Sequence, residues 1–189
     1  MEKIEFLVES IKKLLDGDFV VAQEIIKNNY PFENQKIFKR QYSDMQKMEI
    51  FCRDGFVDLY SGKKLLNPAI LRVLSHYFPD VFPYHPHWKM SECHIAYWKY
   101  LPTVDHVCPI ARGGVDEKEN WVTTSMLHNS IKSNWTLEEL SWQLHKAGSL
   151  DDLDGMSKAF LQLVENDSTL LMDKYINHWY KITKQFLKK

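Results

Sequence analysis

Apolar residues recur at three- and four-residue spacing from the first turn of the chain. Ile4, Leu7, Ile11 and Leu14 predict a helix over 3–15. Gly17 ends it, and Asp18 caps a second helix through Ile26. Asn28, Asn29 and Pro31 stop that one, and Ser43 caps a third helix ending near Gly55. Val57 to Tyr60, followed by Ser61-Gly62, predicts a short strand and a turn. Asn67-Pro68 supplies a cap and a first helical residue for a helix to about His76. Between Phe78 and Trp88 the periodicity breaks. Pro79, Pro83 and Pro86 alternate with aromatics and with His85 and His87, which predicts an ordered, packed loop. A short helix covers His94 to Tyr100. A strand follows at Thr103 to His106, then a loop over Gly113-Gly114, a strand at Trp121 to Thr124 and a helix from Ser125 to about Asn134. Thr136 and Glu139 form a capping-box pair that opens another helix. The polar stretch 149–155 is the best candidate boundary. Two helices close the chain, at about 156–166 and 168–187. The fold class is therefore α+β and predominantly helical, a small strand–loop–strand–helix unit framed by N- and C-terminal helices.

Composition supports that picture. Seven glycines and seven prolines in 189 residues fall well below the roughly 12% average. No apolar run approaches a membrane span, and the first fifteen residues do not read as a signal peptide. Cys52, Cys93 and Cys108 form no CxxC pair. A disulfide framework and a four-cysteine zinc site are not expected, and a reducing, cytoplasmic setting is. The net charge of −1 does not mark a nucleic-acid binder. Two local basic excesses stand out: Lys36, Lys39, Arg40, Lys47 and Arg53, and a C-terminal stretch of Lys174, Lys181, Lys184, Lys188 and Lys189. Both read first as solvated charge, and second as phosphate-tracking surface.

The chemistry concentrates in 105–132. Asp105 and His106 are adjacent at a strand end, so their side chains leave on opposite sides unless the strand bends. Pro109 and the double glycine are read as making that bend. Asp105 offers an anionic oxygen, and Asn129 on the next helix a neutral one. Two oxygen ligands with room for waters suit Mg²⁺. A neutral imidazole at His106 can take a proton near pH 7. Lys132, one turn beyond Asn129, is placed to meet a phosphate.

This constellation resembles the HNH endonuclease family, the ββα-metal fold. The three positions are His106, Asn120 and Asn129, separated by 14 and 9 residues. Pro109, the Gly-Gly turn, the Asn-x-Val-Thr strand and the Asn-x-x-Lys helix start agree in order. The likeness covers about 100–135 and extends loosely back to about Phe51. It implies an N-terminal helical flank at 1–50, a nuclease domain at 51–135 and a C-terminal helical flank at 136–189 packed with it. It implies His106 as general base and Asp105 and Asn129 as ligands of one divalent cation, Mg²⁺ with Mn²⁺ able to substitute. Asn120 would hold His106 in position by bonding across the loop. Arg112 and Lys132 are weaker candidates for phosphate contacts. His128 is read as non-ligating. The structural zinc of many relatives is not expected here, nor is a second metal cluster at His85, His87 and His94.

The implied activity is hydrolysis of DNA to 5′-phosphate and 3′-hydroxyl ends, in a restriction or genome-defence setting. DNA is the implied partner, with a homodimer where both strands are to be cut, and no membrane. The alternatives are an RNA-cleaving or nonspecific toxin nuclease, against which the −1 charge argues, and a catalytically idle nucleic-acid-binding module.

Overall fold

The computed structural model of the chain describes residues 2–32 and 42–187. Lys36, Lys39, Arg40, Lys188 and Lys189 lie outside the described residues. The chain divides into two compact units, Met1–Lys36 and Ile37–Lys189.

The first unit is a helical hairpin of α1 (Lys3–Leu15) and α2 (Phe19–Asn29). Gly17 supplies the left-handed backbone between them. The Asp18 carboxylate accepts from Val21 N–H at 3.2 Å and caps α2. The two helices meet through small residues. Ser10 and Ala22 are buried, and the Ser10 hydroxyl donates to the Ala22 carbonyl at 2.8 Å.

The second unit holds α3 (Asp44–Arg53), α4 (Ile70–Tyr77), α5 (Ala96–Tyr100), β1 (Pro102–His106), β2 (Trp121–Ser125), α6 (Met126–Lys132), α7 (Ser157–Asn166) and α8 (Lys174–Leu187). The architecture is α+β and mainly helical. α3, expected within an N-terminal flank over 1–50, belongs to this unit. β1 and β2 pair antiparallel, with Asp105 opposite Val122 and His106 opposite Trp121. α6 follows β2 directly, capped by Ser125, whose hydroxyl accepts from His128 N–H at 3.1 Å. It packs against both strands, as α3 does. The core gathers Phe51, Val104, Trp121, Phe160 and Ile176 from these elements and Phe56 from the turn after α3. The proline-rich loop packs as expected: Phe82, Tyr84 and Trp88 all contact the Tyr97 ring of α5. No described helix is long and apolar enough to cross a membrane.

The strand expected at Val57 to Tyr60 is a turn closed by a Val57–Lys64 bridge. It runs along the free edge of β2. Leu59 N–H donates to the Thr123 carbonyl at 2.9 Å, and the buried Asp54 carboxylate accepts from Thr123 N–H at 2.7 Å. Asp58, also buried, accepts from Tyr60 N–H and from the Thr124 hydroxyl, both at 3.0 Å, and lies 2.6 Å from His128 Nδ1. Burial alone would push the Asp58 carboxyl up. Its bonds to the side chains of His128 and Ser125 and to Tyr60 N–H instead hold it below the ordinary carboxylate range. The basic residues here are also bonded within the chain. Arg53 clamps Asp54 and donates to the Lys118 and Trp121 carbonyls, and Lys47 pairs with Asp44 at 2.7 Å.

Three further expectations are corrected. The helix read from Thr136 ends after one turn. Its capping box forms, but Ser141 takes a left-handed backbone, and Trp142 N–H returns to the Leu137 carbonyl at 2.8 Å. That closure is a Schellman motif, and it turns Trp142 onto Tyr60 and His128. Residues 149–155 are not a boundary. Gly155 accepts from Asn67 N–H at 2.6 Å, and a Cβ there would collide with the Phe56 ring. The helix read over 168–187 is a 3-10 turn, Ser168–Met172, followed by α8. Asp173 separates them by accepting from Tyr175 N–H at 2.8 Å while pairing with Arg72 at 2.8 Å.

The lowered Asp58 pKa gives a signed expectation. Its contribution is fully present above about pH 4, the unfolded value, and is lost as pH falls through the folded one. Asp58→Asn is expected to cost roughly 1–3 kcal/mol at pH 7. In urea unfolding followed by circular dichroism, the gap to wild type should narrow toward pH 3. A gap independent of pH would mean that the carboxylate is not what holds the turn.

Candidate functional site

β1 keeps a regular ladder through His106, so Asp105 and His106 leave on opposite faces of the strand. The bend read from Pro109 and the double glycine comes after the strand. Gly113 takes a left-handed backbone, and a Cβ on Gly114 would collide with the Cys108 carbonyl. The glycines therefore close the loop on itself and leave the strand straight.

On one face the Asp105 carboxylate is buried. One oxygen accepts from the Tyr60 hydroxyl at 2.8 Å and lies 3.0 Å from Lys132 Nζ. Lys132 is fully buried and donates again to the His106 carbonyl at 2.7 Å. This corrects the expectation that Lys132 meets a phosphate: its ammonium is an internal cation tying α6 to the end of β1. Burial, together with the Asp105 charge, pushes the Tyr60 hydroxyl well above its ordinary range, which keeps it a donor.

On the other face His106 is buried. Its Nε2 lies 2.7 Å from Asp116 Oδ1, and the Trp121 indole N–H is 3.1 Å from that nitrogen and 3.0 Å from the same Asp116 oxygen. Asp116 can accept from both rings when Nε2 carries the proton. Nδ1 then holds the free lone pair, and that atom is buried without a hydrogen-bond partner. An imidazole held by a carboxylate at one nitrogen and bare at the other is the arrangement of an oriented base.

Asn120 bonds across the loop. Its side-chain oxygen accepts from Cys108 N–H at 2.8 Å, and its amide donates to the Cys108 and Val115 carbonyls at 2.9 and 2.8 Å. Three bonds from one side chain fix the loop that follows His106 and carries Asp116. Arg112 reaches the other way, to Glu139 at 3.2 Å and the Asn134 carbonyl at 3.3 Å, and is half exposed. Asn129 is half-buried on α6, and its side chain bonds to no other described residue. No bond links it to Asp105. His128 is turned to Asp58 and Ser125.

Among the described residues no group of three or more His, Cys, Asp or Glu side chains is placed to hold a metal ion. His85 lies 3.5 Å from Glu92, His94 stacks on Phe82, and Cys108 is exposed and unpaired. Asp116, Tyr60 and Trp121 were not singled out by sequence reasoning. Asp116 lies two residues after the double glycine, and only the folded loop shows which ring it faces.

Compared with protein-family models, with curated proteins and with solved structures, the chain matches none.

Removing one partner of the buried pair should be costly. Lys132→Met leaves Asp105 an uncompensated buried charge and is expected to lose about 3–5 kcal/mol of stability, whereas Asp105→Asn with Lys132→Met together should lose less than the sum of the single changes. Urea denaturation of the three variants measures this. A single-variant cost under about 1 kcal/mol would be that of a solvent-exposed pair.

Proposed function

We propose that the chain is an endonuclease of the HNH kind, hydrolysing phosphodiester bonds in DNA with His106 as general base. The observation that carries the reading is the His106 ring. Asp116 fixes Nε2, Asn120 fixes the loop that brings Asp116 there, and Nδ1 keeps a lone pair with nothing bonded to it. Nδ1 is sealed from solvent, so a water reaches it only when the packing over the ring opens; that water would lose its proton to Nδ1 as it attacks phosphorus, and the protonated ring would take the Asp116 charge as its counter-ion. The bond from phosphorus to the 3′ oxygen would break and that oxygen would take a proton from solvent, leaving a 3′-hydroxyl and a 5′-phosphate.

The resemblance also implies a divalent cation at Asp105 and Asn129. The residues as arranged do not fit one. The Asp105 carboxylate is already neutralised by Lys132 at 3.0 Å and faces away from the His106 ring. Mg²⁺ or Mn²⁺ enters there only if Lys132 withdraws. That same pair favours a second reading, a nucleic-acid-binding module whose would-be metal-binding carboxylate is captured internally.

Cleavage of supercoiled plasmid separates the two. Wild type with Mg²⁺ or Mn²⁺ is expected to nick or linearise the plasmid, and EDTA to stop it if a cation is required. His106→Ala should lose roughly 10²–10⁴-fold in rate and recover part of it with added imidazole. Asp116→Asn should slow cleavage while binding the plasmid as well as wild type does. Plasmid bound but uncut by wild type under every cation condition, with RNA also intact, would select the binding module. A His106→Ala variant as fast as wild type would remove the base from its role.

A further inference from the structure

Two irregular segments of the second unit lie against each other beside the ribbon. His145 N–H donates to the Leu59 carbonyl at 2.8 Å, and Gly148 N–H to the Asp54 carbonyl at 3.0 Å. Gly62 lies against the His145 ring: a Cβ there would come within 2.8 Å of Nδ1. That contact brings together the lysines that follow in each segment, Lys63 and Lys64 in one and Lys146 in the other. All three are exposed, and none pairs with a described carboxylate. Elsewhere in the unit cations are spent internally, Lys47 on Asp44, Arg53 on Asp54, Arg72 on Asp173 and Lys118 on Glu49. Within 57–64 and 141–148 the one acid is Asp58, which is buried and turned to His128. The two segments therefore carry uncompensated positive charge on a chain whose net charge is −1.

The same segments line an open cavity of about 430 Å³, walled by Tyr60, Ser141, Trp142, Gln143, Leu144 and His145. Its size is that of a small-ligand pocket. Trp142 is half-buried in the wall. The Tyr60 ring holds it at 5.5 Å and the His128 ring at 5.9 Å. A fixed, partly open indole beside unpaired lysines suits a single nucleic-acid strand. The cations track the phosphates, and the ring stacks an unpaired base of any kind. A duplex keeps its bases stacked inside and offers none to such a cavity.

We propose that Lys63, Lys64 and Lys146, with the Trp142 cavity, form a binding surface for single-stranded nucleic acid. Phosphates lie on the lysines and one base on the indole. The proposal rests on the nucleic-acid partner of the reading above and not on hydrolysis, since the nuclease and the binding module both need such a surface. Tyr60, whose hydroxyl donates to Asp105 at 2.8 Å, joins the cavity to β1.

The test is fluorescence anisotropy of a labelled oligodeoxythymidine strand titrated with the full chain, in EDTA and over a series of salt concentrations. Circular dichroism confirms that each variant is folded. Wild type is expected to bind, with affinity falling steeply as salt rises. The triple variant Lys63→Ala, Lys64→Ala, Lys146→Ala should flatten the logarithmic salt slope by about 2, at about 0.7 per phosphate contact on a single strand. The control triple Lys158→Ala, Lys174→Ala, Lys181→Ala removes as many exposed, unpaired charges from α7 and α8 and should leave the slope unchanged. Trp142→Ala should weaken binding roughly tenfold at an unchanged slope, and Trp142→Phe should restore most of the loss. A wild type that does not bind the strand overturns the proposal, as does a control triple that flattens the slope as much as the first. Duplex bound more tightly than the single strand, with Trp142→Ala as tight as wild type, overturns the stacked base. EDTA keeps cleavage out of the measurement, so an inactive nuclease and a misplaced surface give different results.

Discussion

Buried carboxylates take the place of a third strand in this fold. A two-stranded antiparallel ribbon has too few pairings to be stable alone in water. Here the free edge of β2 is served by side chains. Asp54 accepts the Thr123 N–H that a neighbouring strand would have taken, and Asp58 ties Thr124 to His128 at the head of α6. Asp105, from β1 itself, completes the set by holding Tyr60 and Lys132. Each anion is satisfied by several donors, which is what allows a charge to stay buried. The turn at 54–60, the ribbon and α6 are thereby one piece, and the core of α3, α7 and α8 closes over it.

The same economy shapes the loop between the strands. It contains no regular hairpin turn. Asn120 bonds both of its ends, Gly114 lets the Cys108 carbonyl come close, and Asp116 is delivered to the His106 ring. The imidazole is thus oriented by a carboxylate in a segment whose own shape depends on one amide side chain. Asp105 and His106, neighbours in sequence, are separated by the pleat and serve different ends. The first is spent on internal charge balance, and the second keeps a nitrogen free.

Much of this was legible in the sequence where local rules decide. α1 spans the residues its periodicity marks, α3 begins at its cap Ser43, α2 is capped by Asp18, and both strands appear within one residue, because caps and periodicity act over a few positions. The misreadings arose where distant contacts decide. Thr136 and Glu139 form their capping box, yet the helix stops because Trp142 is drawn onto Tyr60 and His128. The polar run 149–155 looks like a linker, and is instead the floor beneath Phe56. In the site, the resemblance pointed to Asn120 bonding across the loop, and its three side-chain bonds do span that loop. Lys132 was misplaced because nothing local distinguishes a lysine that points outward from one that is folded under a carboxylate 27 residues earlier in the chain. Asp116 went unassigned for the same reason.

The burial of Lys132 has a chemical corollary. An ε-amine is acylated only as a solvated free base, and this one is sealed beneath Asp105 and the His106 carbonyl. Its reactivity is therefore a clock for the opening of the strand–helix unit. Among the many lysines of the chain, it is modified only in those moments when α6 lifts from β1. The residue that locks the unit also records each time the lock is released.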